Sequence, residues 1–304
     1  MKLHQLRDFI AVAQAGGIRA ASRNLGLGQP ALSKSIRQLE SEFETPLFER
    51  NARGTALTAF GRAFLSRAQA VSHELERARE ELDQLRGGTG GSVAFGSSSI
   101  ASMIFLPEAL KAFRRKFPDA EVRIVEGAYA TLLPGLRNGS LDFLVGPRPS
   151  EPLANDFRMD VLFENRRTVV ARQRHPLTGA KSLKDLVDAE WAVTLATGVR
   201  AFECEDIFTA HGLPVPKARV QCESMLALLA LLSSSDLLAF LPPQWLESPL
   251  TRNVLREIRV KEVIGGPGTC VIRRSGLPLT PAAEALASAF ERETAYYQRM
   301  AKNA

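Results

Sequence analysis

The sequence has few cysteines and no long apolar run, and each absence excludes a class of protein. The 304 residues include three cysteines, Cys204, Cys222 and Cys270, which lie far apart and form no C-x-x-C pair. This pattern excludes a disulfide framework and does not support a thiolate metal site. We expect the three thiols to be small buried side chains. No apolar run reaches about 18 residues, so no membrane-spanning helix is expected.

Acidic residues are absent from one stretch of the N-terminal region. The chain carries a net charge of +6, and no Asp or Glu occurs between Phe9 and Leu39, where Arg19, Arg23, Lys34 and Arg37 lie. A basic segment of this kind favours a nucleic-acid partner, although a solvated basic surface has the same composition. The first eight residues carry charges where a signal peptide has an apolar core, which predicts a cytoplasmic protein.

The segment Gly26-Leu27-Gly28-Gln29-Pro30-Ala31 matches the G-x-G-x-x-A pattern of dinucleotide-binding proteins. That site requires a buried strand before its first glycine, whereas residues 18–25 are typical of a short amphipathic helix. Pro30 also lacks the backbone N–H that an anion would bind in the first helical turn. The match is therefore interpreted as accidental.

Three short helices are predicted within the first 43 residues. Apolar residues with helical spacing predict a first helix that ends at Gly16-Gly17 and a third that carries Leu32, Ile36, Leu39 and Phe43 on one face. The glycine turn between the second and third helices gives the helix-turn-helix layout, in which the N-terminal side chains of the last helix reach base edges in the major groove. A plain three-helix bundle is the alternative. The expected DNA-binding residues of these helices are Arg19, Gln29, Pro30, Ala31, Ser33, Lys34 and Arg37.

A wing is predicted after the third helix. Pro46 ends the helix, and Gly54 marks a turn between two short extended segments. Arg50 and Arg53 lie near this turn, where they could contact phosphates or enter the minor groove.

These motifs together resemble the winged helix-turn-helix of LysR-type transcriptional regulators. The resemblance covers nearly all of residues 1–61 and includes Ala20-Ala21, Gln29-Pro30-Ala31, Leu39-Glu40, Leu47-Phe48 and Leu57-Thr58 in the order and spacing of the family. Gly17 and Gly28 stand where the family usually has a hydroxyl residue that caps the helix. Glycine is an acceptable cap at a cost of a few tenths of a kcal/mol, so the fold is expected to persist.

A long helix is predicted from Thr58 to Arg86. Its apolar residues repeat with alternating spacings of four and three, which is typical of a coiled-coil seam: Phe64, Ala68, Val71, Leu75, Ala78, Leu82 and Leu85. About 28 helical residues span roughly 42 Å, too long for one small domain to cover, so a second chain is expected on this seam. Packing along the core of its own chain is the alternative. The resemblance implies antiparallel pairing of this helix with its twin and an assembly of four chains.

The remainder of the chain alternates strands and helices. Residues 87–91 contain four glycines and predict a hinge, and the following α/β pattern predicts two lobes. The resemblance, continued at lower specificity, implies lobes built like a periplasmic substrate-binding protein. We therefore expect a multidomain protein: an all-α winged helix-turn-helix domain at 1–58, a linker helix and hinge at 59–88, and an α/β effector domain at 89–304. The lobes are predicted at about 89–162 with 266–304, and at about 163–265.

Two polar loops, residues 96–102 and residues 194–200, lie at the predicted carboxyl ends of strands, where α/β sheets bind ligands. We call them the effector loops. Hydroxyls, helix N-termini and arginines there suit a small organic anion, with an aromatic carboxylate or sulfonate favoured. The expected effector-binding residues are Ser97, Ser99, Ile100, Ser102, Phe105, Arg148, Thr197, Gly198, Arg200 and Phe202. Either loop could instead only cap its own helix.

The leading hypothesis is a non-enzymatic, ligand-responsive regulator with double-stranded DNA, a small-molecule inducer, RNA polymerase and further copies of itself as partners. No metal, cofactor or membrane is expected. The alternative is a cytoplasmic enzyme that uses the Gly26–Gly28 loop for NAD or the Ser97–Ser99 loop for hydrolysis. The sequence has no G-x-S-x-G motif, which would support a serine hydrolase, and none of its four histidines falls in a predicted cleft loop. An exported solute-binding protein would fit the second half alone.

Replacing Arg53 tests the predicted wing. Arg53→Ala should weaken binding to many DNA sequences and reduce the salt dependence of binding by about one unit of slope, because one phosphate contact is lost. Titrations over a range of salt concentrations measure the slope. An unchanged slope would refute a phosphate contact by Arg53.

Overall fold

The structure is a computed structural model that describes residues 1–51, 54–194 and 202–303. The chain forms two compact units, Met1–Gly88 with Gly135–Leu141, and Thr89–Pro134 with Asp142–Ala304. Within the described ranges, no helix has the length and apolar composition needed to cross a membrane.

The first unit contains the predicted winged helix-turn-helix. Its elements are α1 (Leu3–Ala15), α2 (Ile18–Leu25), α3 (Gln29–Glu42), β1 (Phe48–Asn51), β2 (Gly54–Leu57) and α4 (Ala59–Leu85). Gly16 and Gly26 end the first two helices with φ of 69° and 64°, a left-handed conformation that glycine adopts without strain. β1 pairs antiparallel with β2, which confirms the expected wing.

One apolar core joins the helices of this unit to the wing. Its buried members are Leu6, Phe9, Val12, Ala21, Leu32, Ile36, Leu39, Leu47 and Ala68. The Phe9 ring lies 5.2 Å from Phe48 and 5.0 Å from Phe64, measured between ring centroids. Phe43, expected on the buried face of α3, follows the end of the helix and is 41% exposed. Its ring still lies on the apolar side, with its centroid 5.0 Å from that of Phe64, so the end of the stripe is only partly covered.

The long helix α4 begins as predicted at the Thr58 cap, whose hydroxyl accepts a 3.0 Å hydrogen bond from Gly61 N. The apolar seam, however, divides into two parts. Ala68 is 1% exposed and Phe64 packs against the same core, so these two side chains belong to their own domain and not to a dimer seam. Leu82 and Leu85, by contrast, are 56% and 69% exposed. In the described part of the chain, only the later half of the seam is exposed and open to a second helix.

The second unit is α/β throughout, as predicted. Its strands and longer helices in chain order are β3 (Ser92–Ser97), α5 (Leu106–Lys116), β4 (Glu121–Glu126), α6 (Tyr129–Arg137), β5 (Phe143–Pro147), β6 (Phe157–Arg166), β7 (Thr168–Arg172), β8 (Trp191–Thr194), α7 (Phe202–Ala210), β9 (Ala218–Cys222), α8 (Met225–Ser234), β10 (Ala239–Leu241), α9 (Gln244–Glu247), β11 (Leu255–Ile258), β12 (Gly265–Arg274) and α10 (Pro281–Asn303). A π-helical turn at Ala101–Phe105 precedes α5, and a short 3₁₀ turn occurs at Leu183–Leu186.

Two groups of strands define two lobes in this unit. Lobe 1 contains a five-stranded sheet in the order β4-β3-β5-β12-β6, and lobe 2 contains the order β10-β7-β11 and the pair β8-β9. In lobe 1, β3 runs parallel to β4 and β5, whereas β12 runs antiparallel to β5 and β6. β12 lies in the lobe 1 sheet, and α10 contributes Ala282, Leu286 and Phe290 to the lobe 1 core. The carboxyl ends of β3, β4 and β5 meet at one edge of its sheet.

Three elements were not predicted from the sequence: β6, β11 and α9. β6 is an edge strand with the sequence FRMDVLFENR, in which five charged or polar residues interrupt five apolar ones, so it lacks the apolar run of a buried strand. Phe163 of β6 packs in the lobe 1 core. The lobe boundary expected after residue 162 therefore falls inside this strand.

Two leucines of α8 provide a matched test of the lobe 2 core. Leu228 is 0% exposed and Leu226 is 78% exposed. Leu228→Ala should lower the free energy of unfolding by about 2–5 kcal/mol, since it leaves a cavity. Leu226→Ala should change it by less than about 0.5 kcal/mol. Chemical denaturation measures both values, and equal losses would show that Leu226 is covered in solution.

Candidate DNA-binding surface and effector site

The front of α3 is exposed and polar. Gln29, Pro30, Ala31, Lys34 and Arg37 are exposed, and Ser33 is half-buried. Together with Gln38, Ser41 and Glu42, most of these residues line one concave surface. The opposite face of the helix carries Leu32, Ile36 and Leu39, which are buried. The helix therefore presents hydroxyl, amide and cationic groups outward, as a major-groove reader requires.

The other expected DNA-binding residues are only partly described. Arg19 is exposed on α2. Arg50 lies in β1 through its backbone, and its side chain lies outside the described residues. Arg53 also lies outside them.

The Gly26–Gly28 turn connects two helices, α2 and α3. A dinucleotide-binding glycine turn follows a buried strand, and none precedes this turn. Pro30 occupies the first turn of α3, as expected. The pattern match is thus accidental, as the sequence interpretation proposed.

The effector loop of lobe 1 lies at the carboxyl edge of the sheet. In the strand register Ser97 faces Glu126 of β4 on one side and Val145 of β5 on the other. Cys270 of β12 faces Gly146 of β5. Residues from four strands therefore meet at this edge.

The serines of this loop differ in what they offer a ligand. The Ser99 hydroxyl donates to a carboxylate oxygen of Glu126, and Ser99 is half-buried. Ser97 is fully buried, donates to Ser98 O at 3.2 Å and accepts from Ser102 Oγ at 2.9 Å. The expectation that Ser97 contacts an effector is therefore corrected, because its hydroxyl is used inside the fold. Ser102 is half-buried, and its hydroxyl is engaged by Ser97.

Two apolar residues expected at the site lie in cores. Phe105 is buried in lobe 1, with its ring centroid 5.7 Å from those of both Phe163 and Tyr297. Ile100 is buried in the apolar cluster that contains Leu228 and Leu232. Ile100 was selected because it lies in the loop after β3 and Phe105 as an apolar wall for an aromatic ring, but their side chains turn toward the packed interior. Neither forms the wall of an open cleft.

Arg148 follows β5 and is exposed, as expected for a ligand-binding arginine. Its Nη1 lies 3.2 Å from Glu164 Oε1. Both side chains of the pair are substantially exposed, so the pair contributes little to stability and can exchange partners.

Tyr129 and Cys270 form a polar pair at the same edge that sequence reasoning missed. The Tyr129 hydroxyl lies 3.2 Å from Cys270 Sγ. Burial, with a smaller effect of Cys270, raises the pKa of Tyr129 well above its usual range, and burial also raises the pKa of the Cys270 thiol. Both groups are therefore neutral near pH 7. Gly146 lies beside this pair, and a Cβ there would be 3.3 Å from Ser98 Cβ and 3.6 Å from the Tyr129 hydroxyl.

Glu126 was also missed, although its position at the end of a strand that neighbours β3 could have indicated it. Thr197, Gly198 and Arg200 lie outside the described residues, as does the side chain of Phe202.

The hydrolase alternative needs a histidine base at the serine loop, but three of the four histidines in the described structure bond elsewhere. His175 and His211 donate a ring N–H to the backbone oxygens of Asp236 and Ile207, and His73 donates to that of Asn138. All three cysteines are buried, as expected. Among the described residues no group of three or more His, Cys, Asp or Glu side chains could hold a metal ion.

Comparisons with known proteins agree with both halves of this description. Residues 3–62 match the family described as bacterial regulatory helix-turn-helix protein, lysR family, and residues 86–295 match the LysR substrate binding domain. The HTH-type transcriptional regulator TdcA of Escherichia coli is 28% identical over 263 residues, which cover 86% of this chain and 84% of TdcA.

Solved structures show the same fold. A full-length OxyR variant from Pseudomonas aeruginosa has a TM-score of 0.71 at 22% identity, covering 95% of this chain and 94% of that one. Full-length CbnR in complex with its target DNA has a TM-score of 0.56 at 23% identity, covering 97% and 100%. The chain belongs to the LysR family: it is a transcriptional regulator with a helix-turn-helix domain and an effector-binding domain, and it is not an enzyme.

Proposed function

We propose that the protein binds an inverted-repeat operator as an oligomer and changes its regulation of transcription when a small organic anion binds in the effector domain. The DNA-binding part of this proposal rests on α3, whose exposed face is polar and whose opposite face is apolar and buried. Gln29 and Ser33, near the start of α3, are placed to reach base edges. Arg19, Lys34 and Arg37 supply positive charge for base and phosphate contacts, and Arg50 and Arg53 do so from the wing.

The exposed part of the α4 seam supports the proposed oligomer. Val71, Ala78, Leu82 and Leu85 are exposed and Leu75 is half-buried, on a helix whose other faces are polar. A narrow apolar stripe of this kind is buried by a second helix of the same pattern. A dimer through α4 would bring two recognition helices to two half-sites, and association of two such dimers would give a tetramer.

The proposed effector site combines the edge of the lobe 1 sheet, where β3, β4 and β5 end, with the loop that precedes α7 in lobe 2. Ser99 and Arg148 are the accessible polar groups on the lobe 1 side, and each is already bonded to a carboxylate. An organic carboxylate or sulfonate would take the place of those carboxylates, because it offers the same acceptor oxygens to the hydroxyl and the guanidinium. Thr197, Gly198, Arg200 and Phe202 would complete the site.

The regulator would act in the cytoplasm through RNA polymerase. The effector would bind two arrangements of the lobes with different affinity and so shift their populations. A different arrangement on the operator would change the bend of the DNA that the polymerase meets.

Selection of DNA from a random-sequence pool tests the operator proposal. The full chain should retain duplexes that contain an inverted repeat and shift them on a gel at low salt, and light scattering should report two or four chains. Arg37→Ala should weaken binding to the selected duplex by about 1–3 kcal/mol, whereas Arg115→Ala, an exposed arginine of α5, should not. Folded wild-type protein that retains no duplex, or that scatters as a monomer, contradicts the proposal.

Ser99→Ala tests the effector site. Small organic acids are screened by thermal unfolding, each beside its uncharged amide, and an acid that binds the folded state should raise the melting temperature. Ser99→Ala should reduce that rise and the acid's effect on the gel shift, while binding to the selected duplex stays unchanged.

The control is Ser233→Ala, which removes an exposed hydroxyl that bonds only within its own helix, to Ala230 O. This variant should respond like the wild type. An equal rise with acids and amides would argue against an anion, and a full response in Ser99→Ala would place the site elsewhere.

A further inference from the structure

The start of the wing is bonded to α3 through one carboxylate oxygen. Glu40 Oε1 accepts a hydrogen bond from Leu47 N at 2.8 Å and another from Phe48 N at 3.0 Å. Leu47 and Phe48 are the last residue before β1 and the first residue within it. Glu40 thus connects the recognition helix directly to the start of the wing.

The other side of the same segment is bonded to the start of α4. Leu47 O accepts from Thr58 N at 3.0 Å, and the Thr58 hydroxyl donates to Pro46 O at 2.8 Å. A Cβ on Gly61 would lie 2.1 Å from Leu47 O, so glycine allows α4 to approach this close. Leu47 itself is buried in the core of the unit.

Leu47 is therefore bonded through its N–H to α3 and through its carbonyl to the cap of α4. A shift of the wing relative to α3 would break two bonds to a carboxylate, which are stronger than bonds between neutral groups. The wing and the recognition helix are held in one geometry by this arrangement.

The charge of Glu40 argues against an incidental role. A carboxylate on a DNA-binding helix repels phosphates, so its removal from an unimportant position would raise affinity for any duplex. Removal of a carboxylate that orients the wing would instead lower the affinity for a specific DNA site.

We propose that Glu40 is a positioning residue that sets the wing against α3, so that both contact DNA at the same time. The proposal rests on the wing contact included in the proposed function. Glu40 touches no DNA in this role and acts through the backbone of Leu47 and Phe48.

Three variants of the full chain test this role: Glu40→Ala, Glu40→Gln and Glu44→Gln. Glu40→Gln keeps an acceptor oxygen without the charge, so it should fold even if Glu40→Ala does not. Glu44 is exposed a few residues further along, and Glu44→Gln makes the same change of charge. Each is titrated against the duplex selected by the wild type and against an unrelated duplex, and its bound complex is footprinted with hydroxyl radicals.

Glu40→Ala should lose about tenfold in affinity for the selected duplex, which is the size of one lost DNA contact, and less for the unrelated duplex, where removal of a negative charge partly offsets the lost wing contact. Its footprint should lose the wing protection and keep that of α3. Glu40→Gln should fall between wild type and Glu40→Ala, and Glu44→Gln should bind both duplexes at least as tightly as the wild type.

Two results would overturn the proposal, and they differ in meaning. If Glu40→Gln matches Glu44→Gln on both duplexes with the wing protection intact, Glu40 is only a surface charge, and the proposed DNA contact of the wing stands. If the wild-type footprint has no wing protection, the wing contact in the proposed function fails as well.

Discussion

Burial of one stripe of α3 is the constraint on which DNA recognition by this protein depends. Leu32, Ile36 and Leu39 are packed against α1, α2 and the wing. Burial of a leucine or isoleucine side chain contributes about 1.5–3 kcal/mol, and a rotation of α3 that exposed these three would also bury Lys34 and Arg37 without partners. The orientation of the reading face therefore follows from the core of the domain, and the bonds of Glu40 extend that orientation to the wing.

The effector domain depends on a different constraint, the meeting of parallel strand ends at one sheet edge. Ser99 and Arg148 face the solvent there, and Glu126 and Glu164 already bond to them. An anionic effector bound at the proposed site would replace these carboxylates, and the site would then favour ligands whose acceptors match both positions at once. The neutral Tyr129–Cys270 pair adds a buried polar contact without adding charge.

Much of the fold could be predicted because local patterns carried it. Spacings of three and four located α1, α3 and α4, and Pro46 and Gly54 located the wing. The errors have one physical origin, since periodicity identifies an apolar face without identifying what covers it. Ala68 was expected on a dimer seam and Phe105 on a cleft wall, yet both lie in the cores of their own units. The edge strand β6 was missed because polar residues interrupt its apolar ones and because pairing with β12 is not a local pattern.

The sequence by itself determined the order of helices and strands, the basic front of α3 and the family, because these depend on residues close together in the chain. Only the tertiary structure decided which polar groups meet: Glu40 with Leu47 and Phe48, Ser99 with Glu126, and Tyr129 with Cys270. The last two pairs join residues 27 and 141 positions apart, and their contact depends on strand register and close packing, which no local pattern specifies.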